Sequence, residues 1–337
     1  MKRQYLNFVI NQMSSLKYFI PIVVEGNKRN IQSKFFAKGC GKYNCVSRHF
    51  NTLTDILNQY NALMFPLQEI TNHEEGPAIF TEDHCLYECS SISNKKYSIT
   101  CMTDFSGFYN KPDDDVRPGI WVNYCDHAIF PSKFFAEYYN TLSSKNLYLG
   151  SPKYDVELNE KEIYEKYNIN ENDKCALVIF PRLRDFQKIN LLKIYHKLHD
   201  MGYKVIVKTR GKDPVPRGLR GDAYFTDYSW HPHTTMELIK ISDFIVNFSS
   251  TSIKECVLLK KPLINFHIKP FVPQLDFLYD YKFCKSLNPD FKDEEITSAI
   301  EYLMTEDLNS EYDTVIRKYL FERGNVSAKI LDYFGIE

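Results

Sequence analysis

Nothing in the chain approaches the roughly 18 consecutive apolar residues that a membrane-spanning helix requires, so no such helix is expected. The segment Leu6-Asn-Phe-Val-Ile-Asn-Gln12 is too short and too polar to be the apolar core of a signal peptide. A dominant charge is missing too. Lys and Arg number 42 against 43 Asp and Glu, a net charge of −1, so no global field draws nucleic acid or an acidic membrane. The cysteines form no framework. There are nine, an odd count scattered over a long chain, which favours free thiols in a reducing cytoplasm. Cys40, Cys45, Cys85 and Cys89 are separated by four and three residues rather than by two, and no zinc site is expected of them. In a cytoplasmic protein the sequons at Asn247 and Asn325 mean nothing, and the first is expected to be buried. His-Glu-x-x-His, Gly-x-x-x-x-Gly-Lys-Ser/Thr and Gly-x-Ser-x-Gly are all absent. So are internal repeats, low-complexity tracts and long linkers.

What is present reads as α/β. The 337 residues suffice for two domains, and 44% hydrophobic with 25% charged residues describes a soluble globular chain. Short apolar runs at 18–24, 77–80, 97–102 and 126–130 read as strands, with helical spacing over 51–64 (Leu53, Ile56, Leu57, Tyr60, Leu63, Met64) and a helix from Ser132. The second half continues with strands at 175–180, 204–208, 224–225, 244–248 and 263–267, the last expected. Helices are read at 187–200, after a Thr234-x-x-Glu237 capping box, at 294–304 and over roughly 310–335. Strands alternating with helices imply parallel sheets.

The most informative stretch is Asp243-Phe-Ile-Val-Asn-Phe-Ser-Ser-Thr-Ser-Ile-Lys-Glu-Cys-Val-Leu-Leu-Lys-Lys-Pro262. A buried strand ends at Phe248, and Ser249, Ser250, Thr251 and Ser252 then stand where a helix begins. A helix start has unpartnered N–H groups and a positive dipole end, which suit a phosphate. Ser252 and Glu255 also fit a plain capping box, but a cap needs one hydroxyl and here four lie in a row.

This block resembles the C-terminal domain of GT-B-type enzymes, the two-Rossmann-domain architecture of many nucleotide-sugar glycosyltransferases. Its pattern is most similar to that of CDP-glycerol glycerophosphotransferases, where a strand ends in Asp-Tyr-Ser-Ser and the next helix in Leu-Leu-x-Lys-Pro. Ser249, Ser250 and Leu258-Leu-Lys-Lys-Pro262 match. Asn247-Phe248 replaces Asp-Tyr, and Lys254-Glu255 replaces Phe-Asp, departures that bear on the donor more than on the fold. The resemblance implies a GT-B-like fold of two Rossmann-like domains facing a central cleft: an acceptor domain over 1–150, a donor-nucleotide domain over 151–308, and a C-terminal segment, 309–337, returning to the first. Gly150, Pro152 and Asp155 match a Gly-x-Pro-x-x-Asp element found at the crossing between such domains.

The resemblance also assigns roles. Lys208 matches the Lys of a Lys-x-His-Pro element facing the donor phosphates, with Arg210 in place of the His, and an Arg fork suits phosphate. Phe180-Pro-Arg-Leu-Arg-Asp185 is similar to an Ala-Pro-Thr-x-Arg element, which brings Arg184 towards the pyrophosphate; Arg182 is the alternative, and either could instead pair with Asp185. His231 and His233 precede a helix that borders the nucleotide base in GT-B enzymes, and in an extended segment they would face opposite ways. Glu255 either closes the capping box or binds ribose hydroxyls. In the first half, Gly26, Lys28 and Arg29 follow an expected strand and are candidates for acceptor or phosphate contact. Transfer needs a base. Asp104 at a strand end is the first choice, and His84, beside Glu82 and Asp83, the second. Asp113-Asp-Asp115 follows a loop-like Tyr-Asn-Lys-Pro, not the apolar strand that a metal-chelating Asp-x-Asp requires, so no metal or cofactor is expected. The expectation is a cytoplasmic, metal-independent glycosyltransferase acting on a nucleotide-sugar donor and a glycan or other hydroxyl acceptor, with at most peripheral membrane association. The alternatives are a CDP-polyol phosphotransferase, a sugar-nucleotide epimerase, or a catalytically silent nucleotide-sugar-binding partner.

Overall fold

The computed structural model describes residues 4–38, 49–82, 85–100, 124–138, 142–182, 185–209, 215–226, 230–268, 276–320 and 324–336. The chain forms two compact units, one of Met1–Val156 with Phe321–Glu337, the other of Glu157–Leu320.

Among the described residues the first unit holds seven parallel strands: β1 (Tyr5–Ile10), β2 (Gln32–Ala37), β3 (Leu63–Pro66), β4 (Ala78–Thr81), β5 (Lys96–Ile99), β6 (His127–Phe130) and β7 (Asn146–Tyr148). They lie in the order β3-β2-β1-β4-β5-β6-β7. The helices described are α1 (Leu16–Lys28), α2 (Phe50–Gln59), α3 (Lys133–Tyr138) and the returning α11 (Val326–Tyr333). Phe8, Phe19 and Phe35 form a core cluster, with Phe8 at 5.0 Å from Phe19 and 4.9 Å from Phe35 between ring centroids. Each such ring contributes about 1.5–3 kcal/mol by burial.

The run Tyr18–Val24, expected as a strand, is the middle of α1. Leu16, Tyr18, Phe19, Ile20, Ile22 and Val23 are all buried. A helix covered on nearly every side loses its 3.6-residue polarity pattern and reads like a buried strand. The true first strand is Tyr5-Leu-Asn-Phe-Val-Ile10, disguised by Asn7, whose buried amide donates to the Glu75 carbonyl at 2.8 Å. Leu63 and Met64 likewise leave the helix that their spacing suggested, because α2 ends at Gln59 and Asn61 turns the chain with φ 54° into edge strand β3.

The element Gly150–Asp155 receives the last helix. At Gly150 the φ is 104°, and an added Cβ would lie 2.7 Å from the Val326 side chain. Asp155 accepts from the Ser327 N–H at 2.5 Å, capping α11 from afar. Arg29 donates to Asp332 at 2.6 Å and to the Ile336 carbonyl at 2.8 Å, tying the end of α1 to the end of α11.

Among the described residues the second unit has six parallel strands: β8 (Cys175–Ile179), β9 (Lys204–Lys208), β10 (Ala223–Phe225), β11 (Phe244–Asn247), β12 (Leu263–Phe266) and β13 (Cys284–Leu287). Their order is β10-β9-β8-β11-β12-β13. Its helices include α4 (Glu160–Tyr167), α5 (Leu191–Asp200), α6 (Thr234–Lys240), α7 (Ile253–Leu258), α8 (Asp276–Tyr279), α9 (Asp293–Thr305) and α10 (Asn309–Val315). Strand β13 follows the strand expected to be last; its sequence, Cys-Lys-Ser-Leu, has too little apolar character to announce itself. Among the described residues the expected helix over 310–335 comprises α10, a π-helical stretch over Ile316–Leu320, and α11, and the chain returns to the first unit after Leu320 rather than at 309, because α10 packs against α7.

Both sheets follow the Rossmann order 3-2-1-4-5-6 within their own unit, with β7 an addition at the edge of the first. In each the order reverses between the first and fourth strands, where open α/β sheets bind ligands at the C-terminal strand ends. Among the described residues no helix is long and apolar enough to cross a membrane. The described cysteines are free and buried; burial pushes the Cys89 and Cys175 thiols up to about 11 and Cys125 and Cys284 up to about 12.

Candidate functional site

Register places polar residues in one row at the C-terminal edge of the second sheet. Phe225 pairs with Lys208, Lys208 with Ile179, and Asn247 with Asn265. Ile179 and Asn247 lie one residue beyond the pair Val178–Val246. Lys208 and Asn247 therefore stand two strand spacings apart, roughly 10 Å, on either side of β8. Lys208 is buried at the end of β9.

The turn after β11 is built by Asn265. This residue is 0% exposed, and its Oδ1 accepts from the Ser249 N–H and from the Asn247 amide, each at 2.9 Å. The anchoring holds Ser249 at φ 52°, a left-handed conformation that costs a non-glycine residue about 1–3 kcal/mol. Beyond it the hydroxyls organise one another. Ser250 Oγ donates to Ser252 Oγ at 3.2 Å and accepts from the Ser252 N–H at 3.4 Å. The N–H groups of Ile253 and Lys254 donate to the carbonyls of Ser250 and Thr251. Among the described residues, the N–H groups of Ser250 and Thr251 have no acceptor. Two N–H donors and the part-exposed hydroxyls of Ser250, Thr251 and Ser252 thus stand together at the point where the strand order reverses. Successive main-chain donors of this kind form an anion-accepting concavity.

Ser252 starts α7 without a side-chain capping bond, so the capping box with Glu255 does not form; Ser250 takes the Ser252 N–H instead. Glu255 is buried, 3% exposed, in the first turn of α7. The box at Thr234 fails too. His233 is the N-cap residue, and Glu237 turns to Lys166 at 2.8 and 2.9 Å and to the Tyr167 hydroxyl at 2.5 Å, joining α6 to α4. The segment Trp230–His233 is a tight turn closed by a Trp230–His233 bridge, with a cis His231–Pro232 bond, and not the extended strand that would set the two histidines on opposite sides. His233 is buried, and desolvation lowers His231 to about 4.

Gly26, Lys28 and Arg29 are not beside any ligand edge. They close α1, at the end of the sheet where β2 begins, opposite to the C-terminal strand ends. Lys28 and Arg29 pair with Glu25, and Arg29 also with Asp332. The misplacement follows from reading α1 as a strand. Asp185 pairs with Lys188 at 2.8 Å. Asp104, His84, Arg184, Arg210 and Asp113–Asp115 lie outside the described residues. Their neighbour Glu82 is described: it follows β4, 3% exposed, with φ 50°, and its carbonyl accepts from Ser98 Oγ at 2.6 Å.

Two residues of the site escaped the sequence reading. Asn265 sits in an apolar run, Leu-Ile-Asn-Phe, and a lone amide inside a buried strand was the available signal. Asn247 stood out only as a departure from a pattern.

No family model matches the sequence, and no curated protein matches it. Solved structures do. The wall teichoic acid polymerase TagF in a structure with CDPG aligns with a TM-score of 0.70 at 14% identity, over 99% of this chain and 88% of that one. A putative UDP-N-acetylglucosamine 2-epimerase from Listeria monocytogenes aligns at 0.67 and 10% identity, over 99% and 96%. The calicheamicin glycosyltransferase CalG4 aligns at 0.58 and 9% identity, over 99% of both chains. The chain has a GT-B-type fold. At these identities the likeness speaks for the fold alone, and GT-B structures serve glycosyltransferases, epimerases and a polymerase alike.

Proposed function

We propose that this GT-B protein is a metal-independent transferase that binds a nucleotide-activated donor in its second unit and passes the activated group, a sugar, to a hydroxyl acceptor. The observation that carries this reading is the Ser249–Ser252 turn. It is pinned by a buried asparagine, presents two unspent N–H groups and a cluster of hydroxyls, and lies at the strand-order reversal. The leaving nucleoside diphosphate settles there, with Lys208, Arg210 and Arg184 balancing its charge. Donors already aimed at a developing charge need no reorganisation during the reaction. Glu255 on α7 takes the ribose hydroxyls, and the turn carrying His231 and His233 borders the base. On the first unit, Glu82 takes the acceptor proton; Asp104 and His84 are the other two candidates for that role.

Transfer of a polyol phosphate from a CDP donor is the second reading. It is favoured by the Ser249-Ser250 and Leu258–Pro262 pattern and by the likeness to TagF.

Thermal shifts with UDP-, GDP-, CDP- and dTDP-linked donors identify the nucleotide, since a ligand that binds the native state raises its melting point. Ser249→Ala with Ser250→Ala is expected to remove roughly 3 kcal/mol of diphosphate affinity or more, on the order of 100-fold, with the fold retained. A folded double variant that binds as tightly as the wild type reduces the turn to a helix start and sinks the reading.

A further inference from the structure

The amide that pins the serine turn also faces a histidine. Asn265 Oδ1 accepts from the Ser249 N–H. A backbone N–H can only donate, so the atom facing it is the oxygen, and the orientation of the Asn265 amide follows. Its nitrogen is thereby directed at His267 Nδ1, 3.5 Å away. That nitrogen is a donor only, so Nδ1 accepts and the ring proton resides on Nε2. His267 is exposed just past the C-terminal end of β12, two residues after Asn265 and on the same side of the strand, with its ring edge-on to Tyr279 at 5.7 Å. The neighbouring strand, about 5 Å away, leads into the Ser249–Ser252 turn.

We propose that His267 contacts the bound diphosphate, donating from Nε2–H to a phosphate oxygen, and that Asn265 is the positioning residue that holds ring and turn in one arrangement. One fully buried amide sets both the left-handed Ser249 backbone and the direction of the imidazole proton, which ties the histidine to the anion seat. The proposal rests on the diphosphate reading of that turn.

The test uses the full chain with labelled histidine nitrogens and inorganic pyrophosphate as probe. His267→Ala identifies the His267 resonances among the nine histidines. The expected spectrum shows the Nε2–H form. Pyrophosphate is expected to shift the His267 ring together with the Ser250 and Thr251 amides, and His267→Ala to bind it about ten-fold more weakly. An Nδ1–H ring overturns the proposal. So does a ring that stays still, with unchanged affinity in His267→Ala, while the turn amides move; that outcome leaves the diphosphate reading standing. If neither ring nor amides respond, both fall. Asn265→Asp faces Nδ1 with an acceptor, so a folded variant is expected to carry a proton on Nδ1; an unchanged ring removes Asn265 from its positioning role. If that variant does not fold, the wild-type tautomer and His267→Ala still decide.

Discussion

The two units share one strand order and put opposite chemistry at its turning point. In each, the fourth strand is followed within two residues by a non-glycine residue in the left-handed region, Glu82 at φ 50° and Ser249 at φ 52°. In the first unit that residue is a buried carboxylate, with a Ser15–Thr81 hydroxyl pair at 2.8 Å beside it. In the second it is a serine whose backbone leads into unspent N–H donors, with a buried lysine two strands away. A carboxylate repels a diphosphate and suits a proton acceptor, whereas N–H groups and cations attract one. Topology chose the place in both units, and in the proposed function their side chains divide the labour.

The sharpest test of that division is Glu82→Gln, which keeps the shape and removes the basicity. Turnover is expected to fall by a factor on the order of 100 to 10,000, the usual range for loss of a general base, with diphosphate affinity unchanged. Single-turnover rates and diphosphate titrations on one preparation decide it. A variant with full turnover returns the role to Asp104 or His84, and one that loses diphosphate affinity breaks the contrast between the units.

A second test concerns the Trp230–His233 turn of the second unit, proposed to border the base. Burial lowers His231 to about 4 from its ordinary 6.5. Between those values the unfolded chain holds the proton and the native one does not, so stability is present above pH 6.5 and is lost as pH falls towards 4. The loss is at most about 3 kcal/mol from this residue. Denaturant melts from pH 7 to 4 are expected to flatten in His231→Gln, and an unchanged slope would mean that His231 titrates normally in the native state.

The smallest effect is expected at the hydroxyl pair of the first unit. Ser15→Ala removes one buried hydrogen bond, worth about 1 kcal/mol. Diphosphate affinity is expected to stay at the wild-type value, because nothing in that unit is asked to hold the leaving group. A weakened diphosphate complex would count against the assignment of the donor to the second unit alone.

Much of the second sheet was legible from residues alone. Lys204–Lys208 matches the expected strand at both ends, and 175–180, 244–248 and 263–267 differ from the structure by one residue at the close. Those strands are apolar at their centres, with only Asn247, Asn265 and the two lysines of β9 as polar members, and are bounded by Gly, Pro, Ser and charge. The first sheet was harder for the same physical reason that makes it stable. Asn7 inside β1 and the all-round burial of α1 invert the usual signals, and the phosphate contact read at Gly26–Arg29 followed that inversion to the wrong end of the sheet.

The sequence by itself determined that the chain is α/β, that hydroxyls cluster where β11 gives way to α7, and that Lys208 ends a strand. These are local facts, set by composition and spacing over a few residues. Tertiary structure alone decided what the hydroxyls do. Asn265 is 16 residues beyond Ser249, and only strand pairing brings its amide to the Ser249 N–H at the start of the turn. Gly150 and Asp155 reach Val326 and Ser327 in the same way, across 172 residues in the case of Asp155. A hydrogen bond is selected by where its partner stands after the chain has folded, and that is not written in the spacing of the residues that make it.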